Sequence, residues 1–234
     1  MARWHRAPGT ERTHRALGAS QVSTGDLIPM GTGSTQRSRP RAARHGTSLC
    51  QREAVESAVE FRRLGRTELS RVVEIDRRER IDVLYDQHGT QLSARHGKWS
   101  ASAWDPEGHG EHSVEAQVHT LEHYVDTGGI ALGAIASGRL VGIGVVVPHL
   151  RPLIAQLAFL HVSAPWRATG IGSRLSAQLE QIARIAGDSD IVVSATPSEN
   201  TVRFYVGRGF QPMAEPLAEL FELEPEDVHM RKVL

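Results

Sequence analysis

The sequence predicts a mixed α/β domain on a mostly antiparallel central sheet flanked by helices. Three observations predict it. The apolar runs IALGAIA, LVGIGVVV and LIAQLAFLHVS follow in quick order, separated only by ASGR and PHLRP, and connections that short join antiparallel neighbours. Helical periods stand on either side, the clearest being Ile171, Leu175, Leu179, Ile182 and Ile185. Two later apolar runs, DIVVSATP and VHMRKVL, add strands after the last helices.

The elements are read in chain order. Residues 1–57 are rich in Arg, Gly, Ser, Thr and His and hold no apolar period beyond one turn, so they cannot bury a core. A disordered basic tail is expected there, with the folded domain over residues 58–234. From Val59, VEFRRL alternates apolar and polar residues as a half-buried strand does. TELSRVVEIDRRER follows as a helix, with Thr67 as N-cap and apolar positions from Leu69 to Ile75. Within residues 85–110, GKWSASAWDPEGHG mixes tryptophans with turn residues and reads as a loop with at most a short strand. GEHSVEAQVHTLEHYVDTGG is a helix closed by Gly128 and Gly129. The three-strand meander comes next. It is followed by the helix opened by RATGIGSRL, the strand DIVVSATP, a short helix in SENTVRFYVGRG, a strand near FQPMA and the last strand, VHMRKVL.

Charge and cysteine usage narrow the class. The formal net charge is zero, but the first fifty residues carry eight arginines against Glu11 and Asp26. That segment resembles an organelle transit peptide, a basic arm for nucleic acid, or sequence upstream of the true start. It lacks the interleaved aromatics that stack on bases, so it reads as a solvated tail and no nucleic-acid partner is expected. Cys50 is the single cysteine and forms no internal disulfide, which fits a reducing compartment. No apolar run approaches the roughly 18 residues of a membrane span. The leading arginines have no apolar stretch behind them, so no secretory signal is read. The expectation is a cytoplasmic protein with no membrane partner.

The stretch RATGIGSRL, residues 167–175, places two glycines in the first turn of a good helix, although a helical glycine costs about 1 kcal/mol against alanine. A helix N-terminus presents unpaired N–H groups and partial positive charge, and phosphate is its natural guest. Glycine removes the side chain that would hold a phosphate away, and it permits unusual entry dihedrals. Arg167 is positioned to add charge at the rim. The P-loop is excluded because no GK[ST] follows. The dinucleotide fingerprint is excluded because Leu175 stands where its third glycine belongs.

RATGIG resembles the Arg/Gln-x-x-Gly-x-Gly/Ala signature of the GNAT superfamily of N-acetyltransferases. HVSAPWRATGIGSRL looks like that family's fourth strand and third helix. TVRFYVGRGF resembles its second signature, a helix carrying Phe-Tyr followed by Gly-Phe. The resemblance covers residues 58–234 and implies acetyl-CoA as co-substrate, bound in a V-shaped opening between two splayed central strands. It implies that the backbone of Leu160, His161 and Val162 pairs with the pantetheine. The N–H groups of Arg167, Ala168, Thr169, Gly170, Ile171, Gly172 and Ser173 then hold the pyrophosphate. Tyr205 stands where the family keeps its proton donor. Two departures follow. The strand segment QLAFL carries Gln156 and Ala158 where many members carry a basic glutamate. Ser198 stands at the family's asparagine position, with Asn200 two residues later, so either is a candidate cofactor contact, and Ser198 also suits a helix cap.

The implied activity is transfer of an acetyl group to a primary amine by direct attack in a ternary complex. Alternatives are transfer of a longer acyl group, or a non-catalytic acyl-CoA-binding regulatory module. Residues 99–138 contain Asp105, Glu107, Glu111, Glu115, Glu122 and Asp126 and no Arg or Lys. A negative rim favours a cationic acceptor, either a small molecule or a peptide. A homodimer is compatible with the resemblance. His109, His112, His119 and His123 lie close together, but without an HExxH pattern or a nearby cysteine they read as solvated side chains. No metal is expected.

Overall fold

A computed structural model describes residues 59–234 and, of the remainder, only the backbone of a two-residue strand, β1, at His5–Arg6. The expectation for residues 1–57 otherwise lies outside the described residues. Strand β2 is Val59–Arg63, and a 3-10 helix spans Arg66–Glu74. A hairpin of β3 (Glu79–His88) and β4 (Gln91–Ala101) follows, then helix α1 (Val114–Asp126). The meander is β5 (Ile130–Ala136), β6 (Arg139–Arg151) and β7 (Ile154–Val162). After it come α2 (Ile171–Ala186), β8 (Asp190–Ala195), α3 (Glu199–Gly207) and β9 (Gln211–Pro212). The last elements are α4 (Ala218–Leu223) and β10 (Val228–Val233).

The main sheet runs β2-β5-β6-β7-β8-β10-β9, and every neighbouring pair is antiparallel except β7 with β8. This is the predicted fold class. Helices cover both faces. On one side α2 buries Ile171, Leu175, Leu179 and Ala183 against Val146, Ala155 and Leu157. On the other, Leu69 and Val72 of the 3-10 helix pack with Leu121 of α1 against Ile143, Val145 and Phe159. Gly144 lets α2 come close, since a Cβ there would stand 2.7 Å from Leu179 Cδ1. Glu180 of α2 is buried with Ser176, Arg208 and Lys232 on it. Burial alone would raise its carboxyl, but the two cations and the hydroxyl outweigh that and hold it below its ordinary value.

Two irregularities in β7 shape the site. First, Val145 of β6 pairs with Phe159, and Val146 pairs with Leu157, so Ala158 is an extra, unmatched residue. A bulge of this kind shifts the strand's alternation by one. Ala155 and Leu157 before it face α2; after it Leu160 and Val162 do, and Phe159 turns to the opposite core. Second, β7 and β8 pair only at Ile154–Asp190, Ala155–Ile191 and Gln156–Val192. Beyond Gln156 the strands part, leaving one edge of Leu157–Val162 open.

The structure departs from the sequence reading in three places. The segment expected as an α-helix from Thr67 is a 3-10 helix capped at Gly65, and Glu79 already belongs to a strand. Its buried residues Leu69, Val72 and Ile75 recur every third position, the 3-10 repeat. The segment expected as a loop is largely the hairpin β3–β4, whose turn opens at Gly89 with φ 59°. Most of its residues are exposed or half-buried, with Ile81, Leu84 and Ala101 buried, so it has no one-sided apolar alternation to read. Helix α4 is six residues long, too short to show a period. Among the described residues, no helix is long and apolar enough to cross a membrane.

Candidate active site

The parting of β7 from β8 opens a cleft of two adjoining compartments. One, about 410 Å³, is lined by the first turn of α2, by Leu160, Val162 and Trp166, and by Asn200, Thr201 and Phe204. The other, about 380 Å³, lies between the Arg77–Trp104–His161 wall and Tyr124, Glu224 and Asp227. Tyr205, Arg167 and Glu79 line both. A larger groove, about 880 Å³, lies between the hairpin and the α4–β10 end, but none of the motif residues lines it.

The first compartment is a nest of backbone donors. Among the described residues, the N–H groups of Ala168, Thr169, Gly170, Ile171, Gly172 and Ser173 make no hydrogen bond. Ala168 at φ 61° and Gly170 at φ 98° turn the chain left-handed just ahead of the helix, which gathers successive N–H groups into an anion-binding concavity. No acidic residue stands in the helix's first turn. Arg167 behaves differently from the sequence expectation. Its own N–H bonds Ala164 C=O at 3.3 Å. Its guanidinium donates to the carbonyls of Val162 (3.1 Å), Arg78 (3.0 Å) and Arg77 (3.0 Å), with Glu79 at 3.7 Å. Arg167 is therefore a brace between β7 and the β3 entry, with its fork already occupied, rather than free rim charge.

The open edge of β7 is equally specific. Ser163 N–H bonds Val141 C=O of β6, and an antiparallel strand alternates its edges. Leu160 and Val162 thus present backbone groups to the cleft, whereas His161 turns its own to Ile143 of β6. Arg167 already takes the Val162 carbonyl, which leaves both Leu160 groups and the Val162 N–H unpaired among the described residues.

Helix α3 supplies Tyr205. Its ring is buried against Phe204 (5.1 Å between centroids) and Phe210 (5.2 Å), and its hydroxyl makes no hydrogen bond among the described residues. Burial pushes the phenol's pKa well above its ordinary value. Ser198 caps α3, its Oγ accepting from Thr201 N–H at 3.4 Å and donating to Thr201 Oγ1 at 3.0 Å. It is buried and lines neither compartment. Asn200 lines the first compartment, but its amide donates to Glu79 at 2.8 Å.

The wall of the second compartment is aromatic and charged. His161 meets Trp104 edge-on at 5.4 Å and Phe159 at 4.7 Å. Burial, with Arg77 and Arg167 beside it, drives the imidazole down to about 3, so it is neutral and a poor base at neutral pH. Across the cleft, burial and the neighbouring Glu224 push Asp227 up to about 7. Burial also raises Glu224, and burial together with Glu224 lifts Tyr124 to about 12.

The sequence matches the acetyltransferase (GNAT) domain over residues 102–233, more than half of the chain. The protein belongs to the GNAT acetyltransferase family. Solved structures agree on the fold. Nourseothricin acetyltransferase matches at TM-score 0.57 and 14% identity, over 75% of this chain and 98% of its own. A putative streptothricin acetyltransferase from Bacillus anthracis str. Ames, in complex with acetyl coenzyme A, matches at 0.54 and 17%, over 74% and 95%. PaiA N-acetyltransferase from Thermoplasma acidophilum, in complex with coenzyme A, matches at 0.50 and 17%, over 75% and 99%. No curated protein matches the sequence.

Within this GNAT domain Leu160, His161, Val162, Arg167, Ala168, Gly170, Gly172, Ser173, Asn200 and Tyr205 line the cleft, whereas Thr169 and Ile171, the latter buried in the core, are not in its lining and Ser198 stands apart from it. The sequence reading missed Arg77, Trp104, Asp227 and the bulge at Ala158. Trp104 lay in a segment read as loop, and Arg77 and Asp227 reach the cleft only through tertiary packing. Among the described residues no three His, Cys, Asp or Glu side chains assemble into a metal-binding group; His109, for one, bonds Glu115 at 2.8 Å.

Proposed function

We propose that the protein transfers the acetyl group of acetyl-CoA to a primary amine by direct attack in a ternary complex. The carrying observation is that a run of N–H groups unpaired among the described residues, with Ala168, Gly170, Gly172 and Ser173 in the cleft lining, and an open strand edge meet in one cleft at Tyr205. These features suit the two polar parts of the co-substrate: phosphates for the nest at Ala168–Ser173, and pantetheine amides for the edge at Leu160 and Val162. Acetyl-CoA supplies the activated acetyl group, and the protein orients it and moves protons. An amine titrating near 10.4 must lose a proton to attack. Asp227, held near 7 and lining the same compartment as Tyr205, suits the base that the β7 strand lacks. The leaving thiolate, ordinarily near 8.5, needs a proton, and the buried Tyr205 phenol keeps its own until then.

The acceptor we propose is a cationic small-molecule or peptide amine. The carboxylates of residues 99–138, with no Arg or Lys among them, attract such a ligand and speed its capture at low salt. The names of two fold relatives, the nourseothricin and streptothricin acetyltransferases, agree with a small amine. The test is time-dependent release of CoA thiol from acetyl-CoA across an amine panel. Release that requires an amine supports transfer. Binding of acetyl-CoA with no release for any amine would leave a binding module instead.

A further inference from the structure

The second compartment is walled by a buried cation that makes no ion pair among the described residues. Arg77 is 9% exposed, Trp104 is 8% exposed, and the two stack, the guanidinium carbon 4.3 Å from the indole centroid. Arg77 Nη1 and Trp104 Nε1 are both fully buried, and neither has a hydrogen-bond acceptor among the described residues. Buried arginines are normally paired, and a buried donor left without a partner is destabilising enough that each instance calls for an explanation. The neighbouring acid does not supply one. Glu79 is the carboxylate whose charge reaches Arg77, and it is committed to Asn200 at 2.8 Å and Arg167 at 3.7 Å.

The backbone that carries Arg77 is also braced. Arg167 grips the carbonyls of Arg77 and Arg78, Ser163 Oγ accepts from Asp76 N–H at 3.0 Å, and Ala164 N–H bonds Asp76 C=O at 2.8 Å. A donor whose backbone is already fixed has less to order when it binds a guest. Arg77 and Trp104 line only the second compartment and not the one that holds the nest, so the missing acceptor belongs to the other substrate. A neutral carbonyl would satisfy the hydrogen bonds but not the charge; a carboxylate satisfies both.

We infer that the acceptor amine also carries a carboxylate, which Arg77 Nη1 and Trp104 Nε1 receive, making the acceptor an amino acid or another amine bearing a carboxylate. This rests on the acetyl-transfer reading for its setting, but it is read by binding alone. The experiment is calorimetric titration of the protein–CoA complex with the common L-amino acids, each compared with its own primary amide. The acid and the amide share the amine and differ in the anionic charge. At least one acid should bind about tenfold or more tighter than its amide, the scale of a charge-assisted hydrogen bond. Arg77→Met should bring that ratio close to one. Trp104→Phe, which keeps the stacked ring and removes one donor, should lower it several-fold, and it decides the matter if Arg77→Met does not fold. Equal affinity for every acid and amide, no acid binding at millimolar concentration, or an unchanged ratio in the variants would overturn the assignment. Failure of CoA itself to bind in the same titrations would instead count against the transferase reading.

Discussion

Tyr205 and Asp227 are the residues on which the proposed chemistry turns, and each can be changed by a few atoms. Tyr205→Phe keeps a ring already packed by Phe204 and Phe210 and deletes only the hydroxyl. Affinity for acetyl-CoA should hold, while the maximal rate falls by roughly 10²- to 10⁴-fold, the scale of general acid assistance. A rate within a few-fold of wild type would make Tyr205 a packing residue. For Asp227, the folded-state pKa of about 7 lies above its ordinary 3.8. Below pH 3.8 both the folded and the unfolded carboxyl are protonated. Between 3.8 and 7 the unfolded chain sheds the proton and the folded chain keeps it, so this group's contribution to stability falls as pH rises through that window and then levels off. Asp227→Asn should therefore melt higher than wild type at pH 8, with the gap closing by pH 4. The acid limb of kcat/KM near pH 7 should vanish together with most of the rate. Melting curves that coincide at all pH values would show that the carboxyl is not held up by burial.

At the scale of elements, the sequence was readable wherever an element meets a core, on one face as in the helices or on both as in the meander. The meander, α1, α2, α3 and β10 all follow that rule, as does the nest, because RATGIGSRL encodes it locally in glycines and an arginine. The hairpin β3–β4 was illegible because most of its residues are partly or fully exposed. The 3-10 helix was half-legible, since a three-residue spacing fits both a loose α-helix and a tight 3-10 turn. The bulge could not be read at all, because Ala158 is one residue in an unbroken apolar run. The nest itself invites a direct test at Gly172, where an added Cβ would stand 3.5 Å from Phe204 Cε2 and 3.5 Å from Val162 Cγ2, in ordinary contact. Gly172→Ala should fold normally. Gly172→Leu should also fold, with circular dichroism unchanged, but its branched end fills the first compartment, and acetyl-CoA affinity should drop more than tenfold by calorimetry. Undiminished affinity would move the pyrophosphate site elsewhere.

For the whole molecule, both cores and every motif residue lie within residues 59–234. We propose that the tail adds nothing essential to either folding or cofactor binding. A chain beginning near residue 55 should melt within a few degrees of the full protein and bind acetyl-CoA equally; a large fall in melting temperature would show the tail to be part of the fold. The parted strands have a mechanical consequence as well. Seven strands share one sheet, yet its halves, β2-β5-β6-β7 on one side and β8-β10-β9 on the other, are laced together by three residue pairs at one end. Such a sheet resembles a pair of tongs hinged at Ile154–Gln156, and whatever lies between the arms clasps them. Coenzyme A should thus act as a tie-bar. At a hundred times its Kd, linkage alone adds about 2.7 kcal/mol to folding stability. In hydrogen exchange the protection should concentrate on the Leu160 and Val162 amides and across β8, while β2 and β5, far from the hinge, exchange as before. Uniform protection over the whole sheet would mean that the two arms already move as one body without it.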